Sequence, residues 1–417
     1  MKLGEALQVL SNVGAQTPVF PVCLASGFTP LHLATLLSAE LQRQLPGRRV
    51  KLETGLFGDL CGTIRRVAEG SYEAVCVQVE WADLDARLGL RQSGSWDVDA
   101  LPDVLSTCCM TLRALEECIG PAASRMPVVV SVPTLPIPPV SHEAGAQAGL
   151  FELQLRAAIA GWQARLCALP GVRMVRSQAV DVVSAHGERF DVQSELHFGF
   201  PYSMSHAGAL AAVLAALVVP PAPKKGLITD LDDTLWKGTL GEAGADGINW
   251  DLDHGSQIHG VYQRLLNSLA SAGVLIGVAT RNEAAGVQKA FERADMILDR
   301  KRVYPIEAGW GPKSPLVRRI LDAWNIRADD VVFVDNMAAE IGEVQLAYPG
   351  IAGVLFPEHA QDVAAMMERL RDLFGKEHVT HEDALRIGSL RGGEVFREEA
   401  AKSGIPPSCS CRRPRQS

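Results

Sequence analysis

The chain of 417 residues has no Cys-x-x-Cys pair and no apolar run long enough to cross a bilayer. Its nine cysteines are odd in number and scattered, which fits a reducing compartment better than a disulfide framework. The longest apolar run, Ala207 to Val219, has about 13 residues, whereas a spanning helix needs roughly 20. Polar residues interrupt the segment after Met1, so we expect no signal peptide, no membrane contact and a cytoplasmic location.

Basic residues are also in deficit. The chain has 40 Lys and Arg against 48 Asp and Glu, a formal charge of -8, which argues against a nucleic-acid partner. The hydrophobic content of 47% and the charged content of 21% are those of an ordinary soluble protein. At this length we expect two or three domains with ample core.

The most informative stretch runs from Gly226 to Trp236, where an apolar segment ends in three carboxylates and a threonine. The apolar segment predicts a buried parallel strand, so the acids lie at its carboxyl end, where open α/β sheets bind ligands. Asp230 and Asp232 alternate along an extended segment and therefore repel each other unless a cation lies between them. Hard oxygen ligands suit Mg2+, which also binds substrate phosphate. A solvated acidic turn or a helix N-cap is the alternative for this stretch alone.

Three later segments also place polar side chains at the ends of predicted elements. Thr280 follows the apolar strand 274–279, Lys313 precedes the helical pattern 316–324, and Asp335 follows the strand 331–334. Paired acids, a hydroxyl, a lysine and a further acid, in this order, are the parts of a phosphoryl-transfer site.

At these residues the chain resembles the haloacid dehalogenase (HAD) superfamily, whose four motifs match Asp230/Asp232, Thr280, Lys313 and Asp335. More narrowly it resembles the FkbH-like branch, HAD subfamily IIIC. The stretches that carry this resemblance are 230–238, 241–248, 310–314 and 381–383. The resemblance is close from about residue 224 to residue 400.

The resemblance implies a role for each of these residues. Asp230 would be the nucleophile that forms an aspartyl phosphate, and Asp232 would protonate the leaving oxygen and later activate water. The residues that would hold the phosphoryl oxygens are Thr280, Asn282 and Lys313. Mg2+ would be the cofactor, and its ligands would be Asp230, Asp335 and Asp232, the last through its backbone carbonyl.

Several positions depart from the usual motifs of the family, and two of them change a charge. Asp233 stands where the family usually has Asn, and Asn336 stands where the fourth motif usually has a second acid. The second change removes a negative charge beside the expected metal site. The essential set of acids, hydroxyl and lysine is nevertheless present.

The spacing between motifs bears on substrate access. About 50 residues separate Asp230 from Thr280 and about 33 separate Thr280 from Lys313, too few for a large cap domain beside the core elements. We therefore expect a capless HAD-like Rossmannoid module. Residues 238–250 resemble the hairpin flap of HAD proteins, and Asp251 and Asp253 are expected to begin a helix that runs to about residue 272.

Strand and helix patterns also alternate through residues 1–220, which predicts a second doubly wound parallel sheet. Ser26 after the opening strand and His206 near the end are similar to the SGNH-hydrolase fold that precedes HAD modules in FkbH-like proteins. A working site would need Gly-Asp-Ser at the opening and an Asp three residues before the His, but Ala25-Ser26-Gly27 and Ser203 stand there. We expect an SGNH/flavodoxin-like domain without catalysis.

The predicted organisation has four parts. They are the SGNH-like domain 1–220, the HAD-like domain 224–377, a helical extension 378–403 and a disordered tail 404–417. The proline-rich segment 220–225 is the predicted boundary between the two domains.

FkbH-like proteins are associated with taking the glyceryl group of 1,3-bisphosphoglycerate onto an acyl carrier protein in polyketide pathways, which implies both a phosphorylated small-molecule substrate and a carrier-protein partner. Such chemistry needs a thiol near the phosphoryl site, and no cysteine occurs from Asp230 to Ala400. Cys23 beside Ser26 is the candidate acyl-holding thiol. The alternatives are a plain small-molecule phosphomonoesterase and a non-catalytic docking scaffold in a biosynthetic assembly.

Overall fold

The computed structural model describes residues 1–12, 14, 17–91, 98–138 and 147–375. The chain divides into two compact units, Met1–Pro221 and a second that begins at Ala222, and each contains one five-stranded sheet. None of the helices in the described ranges is both long and apolar enough to span a membrane. The predicted helical extension 378–403, with its motif stretch 381–383, and the predicted tail 404–417 lie outside the described residues.

The first unit alternates strands and helices. Its strands are β1 Val19–Ser26, β2 Arg49–Thr54, β3 Ala74–Gln78, β4 Val128–Ser131 and β5 Val172–Met174. Its α-helices in the described residues are α1 Leu3–Ser11, α2 Leu31–Gln44, α3 Leu60–Glu69, α4 Trp81–Leu84, α5 Leu101–Ala123, α6 Leu150–Cys167, α7 Ser177–Val183, α8 Val192–Phe198 and α9 Met204–Val218.

The sheet of the first unit has the order β2-β1-β3-β4-β5, and all its neighbouring strands are parallel. Val22 of β1, for example, is paired with Leu52 on one side and with Ala74 on the other. From β1 the chain goes first to β2 at the edge and then returns to β3 on the opposite side. The order therefore reverses between β1 and β3, which is where such sheets form a crevice at the carboxyl ends of their strands.

The second unit has the same alternation. Its strands are β6 Gly226–Thr229, β7 Leu275–Thr280, β8 Val303–Ala308, β9 Val331–Asp335 and β10 Ala352–Leu355. Its α-helices in the described residues are α10 Leu240–Gly247, α11 Gln257–Ser271, α12 Ala284–Phe291, α13 Ser314–Trp324, α14 Ala338–Ala347 and α15 Val363–Phe374.

Its sheet has the order β10-β9-β6-β7-β8, again with parallel neighbours, so β6 is the central strand. Side chains alternate between the faces of the sheet. Leu227 belongs to a buried cluster with Trp236 and Tyr262, whereas Ile228 belongs to a separate cluster with Trp324. Both faces are thus covered by apolar contacts, and the predicted fold class of two doubly wound α/β modules is confirmed.

One aromatic ring packs closely against two strands of this sheet. A Cβ atom on Gly226 of β6 would lie 2.5 Å from the ring of Trp324, and one on Gly277 of β7 would lie 2.8 Å from it. The indole N–H of Trp324 donates a hydrogen bond of 2.7 Å to the carbonyl oxygen of Tyr304. Only residues without a side chain leave room for the ring at these two positions.

Two predicted details of the second unit differ from the structure. The helix expected to begin at Asp251 begins at Gln257, and Asp251 instead closes a turn by accepting the backbone N–H of His254 at 2.9 Å. The expected flap is not a simple hairpin, because α10 occupies most of it and one antiparallel bridge, Lys237 to Asn249, joins its ends. The turn at Asp251 therefore delays the start of α11.

Candidate functional site

Three of the predicted site residues lie at the carboxyl ends of neighbouring strands. Asp230 follows β6, Thr280 ends β7 and Asp335 ends β9, and β6 lies between the other two strands. All three side chains are buried, and that of Asp335 is 0% exposed. The parallel arrangement therefore brings together residues that are 50 or more positions apart in the sequence.

Lys313 connects two of these strand ends. Its Nζ atom lies 2.8 Å from Oδ1 of Asp230 and 2.6 Å from Oδ2 of Asp335. Burial alone would lower the pKa of Lys313, but the two carboxylates raise it above its usual value, so the ammonium group stays charged. Burial raises the pKa of Asp230 to about 6 although Lys313 opposes the shift, and the carboxyl group is largely ionised at neutral pH.

The Asp335 side chain is fixed by a second contact. Its Oδ1 atom accepts a hydrogen bond of 2.8 Å from the backbone N–H of Met337, the residue after Asn336 in the turn that leads to α14. Asn336 is half-buried in that turn. The turn therefore orients one oxygen of Asp335 while the other faces Lys313.

The carboxylate of Asp232 is held by hydrogen bonds on both oxygens. Oδ1 accepts the indole N–H of Trp236 at 3.0 Å and the backbone N–H of Leu240 at 3.2 Å. Oδ2 accepts the side-chain amide of Asn282 at 3.1 Å. The same amide donates to the hydroxyl of Thr280 at 2.9 Å, so Asn282 links Asp232 to the end of β7.

Asp230 and Asp335 offer oxygen donors for a small hard cation. Their carboxylates converge on one positive group, the ammonium of Lys313, and Mg2+ is typically bound by one or two carboxylates together with substrate phosphate. In the ranges that the structure describes, no group of three or more His, Cys, Asp or Glu side chains could hold a metal ion. The Asp232 carboxylate is turned toward Trp236 and Asn282, so two carboxylates rather than three fit the cation.

Sequence reasoning missed the residues that position the site. Glu343 on α14 accepts the backbone N–H of Lys313 at 3.1 Å and that of Ser314 at 3.2 Å, and it also accepts the Ser314 hydroxyl. The carboxylate thereby caps α13 from another helix and holds the backbone that carries the lysine. Nothing in the sequence connects positions 29 residues apart, although a glutamate in the helix after the fourth motif could have been considered.

Arg281 lies next to this set. Its Nη2 atom is 2.9 Å from Oε1 of Glu340, which is buried at the start of α14. The other carboxylate oxygen of Glu340, Oε2, is buried and has no hydrogen-bond partner among the described residues. The ion pair therefore connects the residue after Thr280, at the end of β7, to the first turn of α14.

The candidate residues of the first unit do not form a catalytic pair. The hydroxyl of Ser26 donates to the carbonyl oxygen of Phe28 at 3.0 Å. His206 is fully buried, and its ring nitrogens lie 2.9 Å from the hydroxyls of Thr134 and Ser184. Each group therefore already has other partners.

The prediction that Cys23 holds an acyl group is not supported by its surroundings. The side chain is 2% exposed in the middle of β1, and burial raises the pKa of its thiol to about 12. An acyl-accepting cysteine needs access and thiolate character, and Cys23 has neither. Its place in the buried strand β1 makes it a packing residue.

No protein-family model matches the sequence, and neither does any curated protein. Among solved structures, the chain is similar to the N-terminal part of BF1531 from Bacteroides fragilis, which contains a phosphatase domain and was crystallised with Mg. The two are 18% identical, with a TM-score of 0.68, over 91% of this chain and 100% of that one. This likeness shows a shared fold.

Two further solved structures are less similar. An uncharacterised protein from Corynebacterium glutamicum is 18% identical over 37% of this chain and 98% of its own, with a TM-score of 0.27. The salicylyl-acyltransferase SsfX3 from a tetracycline biosynthetic pathway is 13% identical over 50% of this chain and 57% of its own, with a TM-score of 0.29. Scores this low support no conclusion about the chain.

Proposed function

We propose that the second unit is a Mg2+-dependent phosphatase of the HAD type that acts through an aspartyl phosphate on Asp230. The observation that carries the proposal is the ammonium of Lys313 between the buried carboxylates of Asp230 and Asp335, with Asp232 oriented two residues away from the first acid. The fold shared with the Mg-complexed phosphatase domain of BF1531 supports both the reaction class and the metal.

The nucleophile is Asp230. A carboxylate oxygen attacks the phosphorus atom of the substrate, the new O–P bond forms, and the bond from phosphorus to the leaving oxygen breaks. The raised pKa of Asp230 makes its carboxylate a stronger base than an exposed one, and Lys313 keeps it ionised at neutral pH. In this proposal Lys313 and the Thr280 hydroxyl hold the phosphoryl oxygens by charge and a hydrogen bond, and Asn282 orients that hydroxyl.

Asp232 is the general acid and base. It gives a proton to the leaving oxygen, and it later takes a proton from the water that attacks the aspartyl phosphate, which releases phosphate and restores Asp230. The hydrogen bonds from Trp236 and Asn282 fix the carboxyl group in one orientation. The backbone carbonyl of Asp232, with Asp230 and Asp335, would hold Mg2+, which supplies the charge that offsets repulsion between a carboxylate and a phosphate.

For the substrate we propose an acyl phosphate such as 1,3-bisphosphoglycerate, with transfer of the glyceryl group to an acyl carrier protein. Attack of Asp230 on phosphorus leaves a free carboxylic acid, whereas a thioester forms only if a thiol attacks the carbonyl carbon and phosphate departs with the bridging oxygen. Cys23 is buried and no cysteine lies from Asp230 to Ala400, which favours the thiol of the carrier protein as the attacking group. The same observations favour a plain phosphomonoesterase as the second candidate.

The test is phosphate release from 1,3-bisphosphoglycerate in Mg2+, with and without a carrier protein, for the wild type and Asp230→Asn. Asp253→Asn, a change of an exposed aspartate in the same unit, is the matched control. We expect release that is lost in Asp230→Asn and kept in Asp253→Asn. A gain of mass on the carrier supports glyceryl transfer. An isotopic label in the bridging oxygen of the substrate then distinguishes the two reactions, because attack at carbon leaves the label in phosphate and attack at phosphorus leaves it in the carboxylic acid.

Two other outcomes have a definite meaning. If phosphate release requires Asp230 but the carrier gains no mass, the protein is a phosphatase and the transferase proposal is rejected. No release from a panel of acyl phosphates and phosphate esters overturns both, in favour of a docking scaffold.

A further inference from the structure

The first unit contains a cavity of about 640 Å³ at the carboxyl ends of β1 and β3. Gly27 and Phe28 follow β1 at its wall, Glu80 and Trp81 follow β3, and Leu135 lies beyond the end of β4. Because the strand order reverses between β1 and β3, this is the position at which open α/β sheets bind their ligands. The volume is in the range of small-molecule sites.

The walls are mostly apolar and include four aromatic rings, those of Phe28, Phe57, Trp81 and Phe190. The Trp81 ring is fixed, since its indole N–H donates a hydrogen bond of 2.8 Å to the carbonyl oxygen of Leu135. The Phe28 ring packs edge-on against the ring of Tyr202, with a centroid distance of 5.1 Å. A flat or extended apolar body therefore finds preformed contact surface here.

The ionisable lining, in contrast, is acidic. Among the described residues it contains four carboxyl groups, Asp59, Glu80, Asp83 and Glu195, but a single guanidinium, Arg91. Asp59 already caps α3 and pairs with Arg66. Glu80 already accepts hydrogen bonds from several neighbours, among them the hydroxyls of Thr134 and Tyr202.

Asp83 and Glu195 are less well compensated. Oδ2 of Asp83 accepts the backbone N–H of Glu80 at 2.7 Å, and Oδ1 lies so close to Gly27 that a Cβ atom there would be 1.8 Å away. Arg91 lies 3.4 Å from Oε1 of Glu195, but Oε2 is buried and has no hydrogen-bond partner in the described part of the chain.

The pKa values of these two carboxyl groups are both raised, chiefly by burial. Burial raises the pKa of Asp83 to about 7, and the neighbouring carboxylates Glu80 and Glu195 add to the shift although a backbone N–H opposes it. Burial likewise raises the pKa of Glu195, against the effect of Arg91. A positive charge between them would favour the ionised form of both.

We propose that this cavity binds a small molecule in which an apolar body carries a cationic amine, with the ammonium group against Asp83 and Glu195. The carboxylates supply charge-assisted hydrogen bonds, and the aromatic walls supply cation–π contacts in addition to apolar area. A phosphorylated substrate has the wrong charge for this lining. The cavity is thus a second binding site within the first unit, opposite in charge preference to the proposed phosphatase site.

The test uses the full chain and calorimetric titration with phenylbutylamine, phenylbutanol and phenylbutyrate, three probes that share one apolar body. We expect saturable binding of the amine, binding of the alcohol that is weaker by about tenfold or more, and no binding of the carboxylate. Asp83→Asn and Glu195→Gln should each weaken amine binding by about tenfold, because each removes a charged partner. Glu188→Gln, an exposed glutamate outside the cavity, is the matched control and should bind as the wild type does.

Several results would overturn the proposal. They are equal affinity of the wild type for the amine and the alcohol, tighter binding of the carboxylate, and no binding of any probe. Because Asp83 packs against Gly27, its variant could fail to fold, and thermal unfolding should accompany each titration. Glu195→Gln on α8 then decides, since amine affinity at the wild-type level in that folded variant also rejects the proposal.

Discussion

The indole N–H of Trp236 donates a hydrogen bond of 3.0 Å to Oδ1 of Asp232. Trp236 is fully buried, and its ring packs edge-on against Phe291 with a centroid distance of 6.1 Å. The ring therefore has little freedom, and neither does the carboxylate that accepts its hydrogen bond. Together with the hydrogen bonds from Leu240 and Asn282, this contact orients the proposed general acid.

Trp236→Phe removes that hydrogen bond while keeping an aromatic ring in place. We expect hydrolysis of an alkyl phosphate, whose leaving oxygen needs a proton, to slow by about tenfold or more, and hydrolysis of nitrophenyl phosphate to change little. Steady-state rates on both substrates measure the difference. Trp310→Phe, at a position 75% exposed, is the matched control. Equal slowing on both substrates would show that Trp236 does not act through Asp232.

Lys313→Met leaves Asp230 and Asp335 side by side without their cation. Since removal of one partner from a buried ion pair costs about 3–5 kcal/mol, the free energy of unfolding of the second unit should fall by that order in chelator. Mg2+ should restore part of it by occupying the space between the carboxylates. Denaturant unfolding with and without Mg2+ measures both effects, and Lys289→Met on an exposed face of α12 is the control. A variant as stable as this control in chelator would contradict the prediction.

Glu343→Ala removes the carboxylate that caps α13. Two backbone N–H groups and the Ser314 hydroxyl lose their acceptor, which we expect to lower the free energy of unfolding by about 1–2 kcal/mol. Phosphatase turnover should fall as well, because Lys313 is the residue just before the helix. Glu358→Ala, at an exposed position of the same unit, should change neither quantity. Unchanged stability in Glu343→Ala would mean that water replaces the cap.

His206 should make the first unit less stable in acid. Burial, with a smaller effect from Arg189, lowers the pKa of His206 from its ordinary 6.5 to about 4. The unfolded chain takes up this proton below pH 6.5 whereas the folded unit does not until about pH 4, so the contribution of His206 to stability falls as the pH falls through this window.

The measurement is denaturant unfolding of the wild type and His206→Gln at pH 7 and pH 5. His206→Gln should have a lower free energy of unfolding than the wild type at pH 7. At pH 5 this difference between the two proteins should be smaller by roughly 2 kcal/mol. The other titrating groups are common to both proteins, so the difference isolates His206. His197→Gln, an exposed histidine of the same unit, should stay parallel to the wild type. A gap that is constant with pH would contradict the assignment.

The strand ends of the second unit could be predicted because they depend on local patterns. Apolar runs predict parallel strands, and parallel strands bring their carboxyl ends to one edge, which is enough to place Asp230, Thr280 and Asp335 together. The contacts of Trp236 with Asp232 and of Glu343 with Ser314 could not be predicted. They depend on the angle at which a turn or a helix packs, and residue spacing does not encode that angle.

In the first unit, too, the sheet could be predicted from the sequence and the surroundings of single side chains could not. Alternating strand and helix patterns predict its sheet, but the fate of single polar side chains follows from burial. Cys23 in the centre of β1 could not be distinguished from a reactive thiol by sequence alone, because burial removes access to the thiol and raises its pKa. For His206 in α9, Ser203 in place of the needed Asp already predicted the absence of catalysis. The acidic cavity was missed entirely, since Asp83 and Glu195 lie on elements far apart in the chain.

The ring of Trp324 over Gly226 and Gly277 has a consequence for how this sequence can diverge. A methyl group at either glycine would displace the indole, and a smaller side chain at 324 would leave a void beneath the two strands that lead to Asp230 and Thr280. Substitution at one of the three positions is therefore tolerated only with compensating substitution at the others. Across related sequences the three positions should covary as a unit, with two glycines wherever tryptophan is kept.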